Sequence, residues 1–162
     1  MKAALLIIDM QVAFLEEYQD RTVIQPCCDT INFISAMMRN AGQPVIHIQD
    51  ISEVGDGNDA AYAISPLITQ EPSDLLVTKT FANAFHQTTL ASQLQTLEVS
   101  FLILCGQAAE QCVVFSYNGA QEQGFSATVL QDGVISPQPG RADMLFQDRA
   151  VISYPAIKAL LS

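Results

Sequence analysis

Asp9, Lys79 and Cys112 are three residues of this chain whose types could together carry nucleophilic chemistry. A free thiol titrates near ~8.5, so only a few per cent of it is nucleophilic thiolate at neutral pH. Cys112 falls in the first turn of a helical segment expected over Glu110–Gln123, where unpaired backbone N–H groups favour an anion. A Lys79 ammonium within about 4 Å would contribute on the order of 4 kcal/mol at an effective dielectric near 20. Both effects predict a raised thiolate fraction. Asp9 pulls the other way, yet it can accept the thiol proton and return it to a leaving amine. Lys79 would keep Asp9 ionised at rest and steady the anion that remains after transfer. Each residue also has a structural reading: Asp9 as a cap, Lys79 as a solvated charge, Cys112 as core filler.

These residues need a scaffold that brings them to one edge, and the order of elements supplies it. Lys2–Ile8 is a continuous apolar run ending in Asp9, the pattern of a strand buried on both faces. Pro26 to about Asn40 reads as a helix, with Ile31, Ile34, Met37 and Met38 at helical spacing and Gly42 as C-terminal cap. Strands follow at Pro44–Gln49 and Leu75–Thr78, separated by a Gly/Pro-rich stretch over 51–73 that reads mostly as loop. Thr88–Leu97 is a short helix, Ser100–Cys105 a buried strand broken by Gly106, and Ser126–Gln131 a strand ending at Asp132. A helix around Arg141–Arg149, a short strand Val151–Ser153 and a helix from Pro155 complete the chain. Strands separated by helices imply parallel βαβ units with both faces covered. The expected fold is therefore α/β: a single domain over residues 1–162, doubly wound, with about six mainly parallel strands in order 3-2-1-4-5-6. Ligands of such sheets bind beyond the carboxyl ends of the strands. Asp9, Asp50, Lys79, the Gly106–Cys112 segment and Asp132 all lie there.

Composition narrows the function classes. The 162 residues carry 17 acidic against 7 Lys and Arg, a net charge of −10, so nucleic acid and anionic membrane surfaces are not expected partners. No apolar run approaches the ~20 residues that span a bilayer. The N-terminal apolar run ends at Asp9 without a small-residue cleavage site, so the expected location is cytoplasmic. The 4 cysteines, Cys27, Cys28, Cys105 and Cys112, have no CxxC spacing and no Cys/His cluster, and are expected as reduced thiols.

Around the three candidate residues the chain resembles the isochorismatase-like cysteine hydrolases, which include nicotinamidases, other small amidases and isochorismatase. Leu6-Ile7-Ile8-Asp9-Met10-Gln11-Val12-Ala13-Phe14 is similar to an apolar strand followed by D-x-Q-x-x-F. Lys79 to Phe85, with Thr88 and Leu90 beyond, is similar to the lysine motif K-x-x-x-[S/N]-A-F, T-x-L. Gly106-Gln107-Ala108-Ala109-Glu110-Gln111-Cys112-Val113 is similar to G-x-x-T-x-x-C-V. The resemblance implies Cys112 as nucleophile, Asp9 as proton acceptor and donor, and Lys79 as third member of a triad. It also implies a cis peptide between Gln107 and Ala108, which would bring the Ala108 and Cys112 N–H groups together as an oxyanion hole. Homodimers or larger homo-oligomers are usual among such proteins. Phe14 and Phe85 are candidate walls for a small-molecule substrate, or else ordinary core aromatics.

Departures sharpen the expectation. Nicotinamidases carry a metal-binding Asp followed by histidines after the second strand; Asp50 matches the first, but Ser52 stands where the nearby histidine would be. His47 and His86 are the chain's 2 histidines and neither gives ligand spacing, so no metal and no cofactor is expected. Ala109 replaces the usual Thr near the carbonyl-binding region, and Val12 and Ala13 replace a polar pair. The leading expectation is a metal-independent cysteine amidohydrolase that forms a thioester-like intermediate. The alternatives are a vinyl-ether hydrolase in which Asp9 supplies the proton, and a catalytically silent binding protein. A nucleotide-binding domain is not expected, because the turn at Gly106 has neither GxGxxG nor a P-loop.

Overall fold

A computed structural model describes residues 1–162. Its strands are β1 (Ala3–Ile8), β2 (Val45–Asp50), β3 (Leu75–Lys79), β4 (Phe101–Gly106), β5 (Ser126–Val134) and β6 (Val151–Ile152). They form one sheet of six strands in the order β3-β2-β1-β4-β5-β6, all paired in parallel, in agreement with the expected topology. The helices are α1 (Val12–Glu16), α2 (Ile24–Asn40), α3 (Leu90–Thr96), α4 (Val114–Glu122), α5 (Arg141–Asp148) and α6 (Tyr154–Leu160). None is long and apolar enough to cross a membrane.

β1 explains the two-sided core. Every one of its residues is buried, and alternation sends Ala4, Leu6 and Ile8 to one face and Ala3, Leu5 and Ile7 to the other. The first face packs against Leu90 and Leu94 of α3, Tyr117 and Ala120 of α4, and Leu145 of α5. The second packs against Leu15 of α1, the Cys28, Ile31, Ile34 and Met38 stripe of α2, and Ile157 of α6. The end of α2 is chemically specified: Gly42 adopts φ +66°, its N–H donates to the Arg39 carbonyl at 2.9 Å, and the Gln43 N–H reaches the Met38 carbonyl at 2.8 Å.

Local structure departs from the sequence-based expectation in three places. The helix expected from Glu110 is a π-helical turn, Ala109–Val113, followed by α4 from Val114; Gln111 interrupts it at φ −118°, ψ −112°. β5 continues past Asp132 to Val134, because a register shift opposite Leu104–Gly106 lets the strand pair again beyond the irregularity. α1, only five residues long, is too short to leave a periodic signal.

Strand order reverses between β1 and β4, so their carboxyl ends flank the switch point of the sheet. These ends approach closely. Gly106 has φ +110°, and a Cβ there would collide with the Ile8 backbone. The Gln107 N–H then donates to the Ile8 carbonyl at 3.0 Å, tying the segment after β4 to the residue before Asp9.

Candidate active site

Asp9, Lys79 and Cys112 converge from three strand ends. Lys79 Nζ lies 2.9 Å from Asp9 Oδ2, 2.9 Å from Asp50 Oδ2 and 3.4 Å from Cys112 Sγ. The Asp9, Asp50 and Cys112 donor atoms all fall within 4.8 Å of one another. An ammonium has three N–H donors, and here each has one acceptor.

The backbone aims each of these groups. Asp9 sits at φ +53°, a left-handed conformation that Asp tolerates better than most residues and that turns the chain sharply off β1. Its N–H donates to the Ile48 carbonyl at 3.0 Å, and its carbonyl accepts from Gln107 Nε2 at 3.0 Å. Lys79 ends β3 in register with Asp50 at the end of β2, so parallel pairing itself sets the two side by side. Cys112 rides on the π-helical turn, whose far side is anchored by the Ala109 N–H donating to the Ile135 carbonyl at 3.1 Å. The Gln107–Ala108 peptide is cis, and no backbone carbonyl accepts the Ala108 N–H.

Burial dominates the electrostatics. It pushes the Asp9 carboxyl up to about 6, against the pull of Lys79. Burial, and then the neighbouring Asp9, push the Cys112 thiol up to about 12, with Lys79 opposing. The raised thiolate fraction expected from sequence is therefore not met in the resting site: the thiol is neutral and Asp9 is the anion at neutral pH. The cost of removing sulfur from water exceeds the help of Lys79, and the turn holding Cys112 is not the regular helix start first expected. Burial would depress Lys79, but Asp9, Cys112 and Asp50 hold its ammonium above the ordinary value. Asp50 is held below the usual carboxylate range: burial raises it, and hydrogen bonds from Ser52 and Lys79 outweigh that. Asp9 Oδ1 is buried and without a hydrogen-bond partner.

The residues named as substrate walls lie at different depths. Phe14 is half-buried with its ring edge-on to Tyr62 at 5.8 Å. Phe85 lies in the core with its ring 5.9 Å from Phe125, and Ala109 is fully buried in the same cluster. Two surface clefts, of about 520 and 500 Å³, lie along α2 against β5 and contain none of Asp9, Lys79 and Cys112.

Three residues around this site had no assigned role in the sequence reading. Asp50 was noted only as a metal-type position, although its place at a strand end was legible. Gln11 was legible only as the glutamine of the motif after β1, with no role attached, and Tyr18 left no signal. Gln11 is fully buried, and its Nε2 donates to the carbonyls of Asp50 at 2.8 Å and Tyr62 at 2.6 Å. The Tyr18 hydroxyl donates to Gln107 Oε1 at 3.1 Å.

The donor set does not suit a divalent metal. His47 Nε2 is 2.9 Å from Asp74 Oδ2, in a separate cluster, and His86 is an exposed residue whose ring lies edge-on to Phe81 at 4.6 Å. Asp9, Asp50 and Cys112 remain as oxygen and sulfur donors, and the Lys79 ammonium already sits among them.

Comparison with known proteins places this geometry in context. The family model for the isochorismatase domain matches residues 3–153. The isochorismatase family protein YddQ of Bacillus subtilis is 26% identical over 142 residues, covering 82% of this chain and 77% of that one. An isochorismatase-like hydrolase from Alkaliphilus metalliredigens superposes with a TM-score of 0.87 at 19% identity over 100% of both chains. N-carbamoylsarcosine amidase from Thermoplasma acidophilum superposes with a TM-score of 0.79 at 20% identity, over 94% of this chain and 95% of that one.

Proposed function

The chain belongs to the isochorismatase family of hydrolases, and we propose that within it the protein is a metal-independent cysteine amidohydrolase acting on a small carboxamide-type substrate. The observation that carries this reading is the contact of one buried ammonium with Asp9, Asp50 and the Cys112 sulfur.

The reaction follows from which groups are free. Asp9 Oδ2 is committed to Lys79, while Oδ1 has no partner and can take the thiol proton. As that proton leaves sulfur, the S–C bond forms and the carbonyl π pair moves to oxygen. The unpaired Ala108 N–H, together with that of Cys112, supplies donors for the resulting oxyanion. Collapse breaks the C–N bond, with the Asp9 proton going to the departing amine. Water then adds to the thioester, its proton passing through Asp9, and the acid and free thiol are released. Thiolate thus forms during attack rather than standing ready, as the high resting thiol pKa requires.

An amide fits better than an anionic vinyl ether. All three Lys79 N–H groups are already engaged by protein acceptors, so this buried cation has none left for a substrate carboxylate. The fold shared with N-carbamoylsarcosine amidase agrees with C–N bond cleavage. The test is a panel of small amides and ureido compounds offered to the wild type and to Cys112→Ala. Turnover by the wild type with none by the variant supports the reading. A hydrolysis that survives the substitution would favour the vinyl-ether chemistry, and no turnover of any compound would favour a silent binding protein.

A further inference from the structure

We propose that Asp50 is a positioning residue for this site, a second carboxylate that clamps the Lys79 ammonium opposite Asp9 and so replaces by hydrogen bonding what a bound metal would otherwise organise. The proposal rests on the cysteine-hydrolase reading above.

Every polar atom of Asp50 is engaged, and each toward fixing one carboxylate oxygen. Its N–H donates to Gln11 Oε1 at 2.8 Å and its carbonyl accepts from Gln11 Nε2 at 2.8 Å. Oδ1 accepts from the Ser52 N–H at 2.8 Å and the Ser52 hydroxyl at 2.6 Å. Only Oδ2 faces inward, and it meets Lys79 Nζ at 2.9 Å. Gln11 itself is pinned to the Tyr62 carbonyl, so the residue after Asp9–Met10 fixes the Asp50 backbone while Ser52, in the loop after β2, fixes its carboxylate. A metal ligand needs lone pairs directed at an ion; here one oxygen is taken by a serine turn and the other by an ammonium.

The consequence is mechanical and electrostatic. With a second carboxylate at the same 2.9 Å distance, Lys79 is not left to Asp9 alone, and its ammonium stays 3.4 Å from the Cys112 sulfur. The charged or titratable groups bearing on Asp9 are Lys79 from β3, Cys112 from the π-helical turn and Asp50 from β2. Of these, the Asp50 charge raises the proton affinity of Asp9 and Lys79 lowers it. Removing the Asp50 charge weakens Asp9 as a base twice over: the repulsion goes, and the ammonium is left to Asp9.

Cys112 alkylation by iodoacetamide, followed by peptide mass spectrometry across pH, reads this without a known substrate. In the wild type the rate should rise with pH as Asp9 ionises and then level off, because thiolate arises by transfer of its proton to Asp9. In Asp50→Asn the inflection should fall by about half a pH unit or more, and the plateau rate by about threefold. A profile superimposable on the wild type, in a variant with unchanged thermal unfolding, overturns the clamp. Should Asp50→Asn not fold, Ser52→Ala decides. Ser52 is exposed, and loss of its hydroxyl should move the profile in the same direction by less; an unmoved profile overturns the proposal. Stoichiometric protection of wild-type Cys112 by zinc alone would also overturn it, since Asp50 would then be a ligand. The underlying reading fails separately: Asp9→Asn leaving the wild-type profile intact would remove Asp9 from the chemistry altogether.

Discussion

Lys79 and Asp9 form an ion pair shut away from solvent, with Nζ 2.9 Å from Oδ2 and side chains 0% and 2% exposed. Such a pair gains little net stability over an apolar replacement of both partners, whereas removal of one partner strands the other. Its presence at a strand edge is therefore better explained by chemistry than by folding, and the consequences below follow from it.

Lys79→Met should destabilise the protein by about 3–5 kcal/mol near pH 7.5, because Asp9 and Asp50 would face each other with no cation between them. Without the ammonium both carboxyl pKa values in the folded state rise above the unfolded value. The native state is then favoured by protonation, so the deficit relative to wild type should shrink as pH falls toward 5. Urea unfolding at the two pH values measures this.

Hydrolysis by the wild type should rise with pH through about 6 as Asp9 becomes the proton acceptor. The stability sign is opposite. A carboxyl raised from 3.8 to about 6 contributes stability that is full below 3.8 and lost as pH rises through about 6. Holding Asp9 ionised at neutral pH thus costs about 3 kcal/mol. The pH profile of kcat/KM should lose its acid limb, along with nearly all rate, in Asp9→Asn.

Brief iodoacetamide treatment of the folded protein should modify Cys112 ahead of the other thiols. Cys27, Cys28 and Cys105 are buried, and burial pushes all three thiols up, Cys28 to about 11. Cys112 is the half-buried one, beside a base. Peptide mapping that finds Cys28 labelled as fast as Cys112 would remove any special reactivity from the site.

Gly106→Ala should destabilise the fold by about 3 kcal/mol or more. A Cβ at φ +110° is strained, and it would strike the Ile8 backbone, so β1 and β4 could not close at their carboxyl ends. Soluble yield and the thermal unfolding midpoint would report the loss.

Asp74→Asn separates stability from activity. Asp74 receives Arg39 through two 2.8 Å hydrogen bonds, sits 2.9 Å from His47 Nε2, and accepts the Glu71 N–H at 2.9 Å. Its carboxyl is held below the usual range by the bonds from Arg39, the Glu71 N–H and His47, which outweigh burial. The stability it contributes is present above 3.8 and lost as pH falls through its lowered value. The variant should lose about 3 kcal/mol in urea unfolding at neutral pH while kcat at a permissive temperature stays near wild type.

The parallel α/β sheet and its two buried faces were legible because β1 reads as an unbroken apolar run and every crossover except the loop between β2 and β3 carries a helix. Asp9, Lys79 and Cys112 were legible as strand-end residues on matching motifs. The role of Asp50 was not, although the residue itself was seen. Its pairing with Lys79 depends on the β2–β3 register, which hydrophobic pattern alone does not set.

The sequence by itself determined the α/β class, the three candidate side chains and the absence of a histidine ligand set, since these depend on residue type, period and motif. Tertiary structure decided how those side chains behave. Desolvation and the order of charges around Lys79 are properties of packing, and they push the Cys112 thiol up where the sequence led one to expect it lowered, while Asp9 keeps the expected place of the base. They also revealed a fourth partner, Asp50, because an ammonium with three donors in a dry site must find three acceptors.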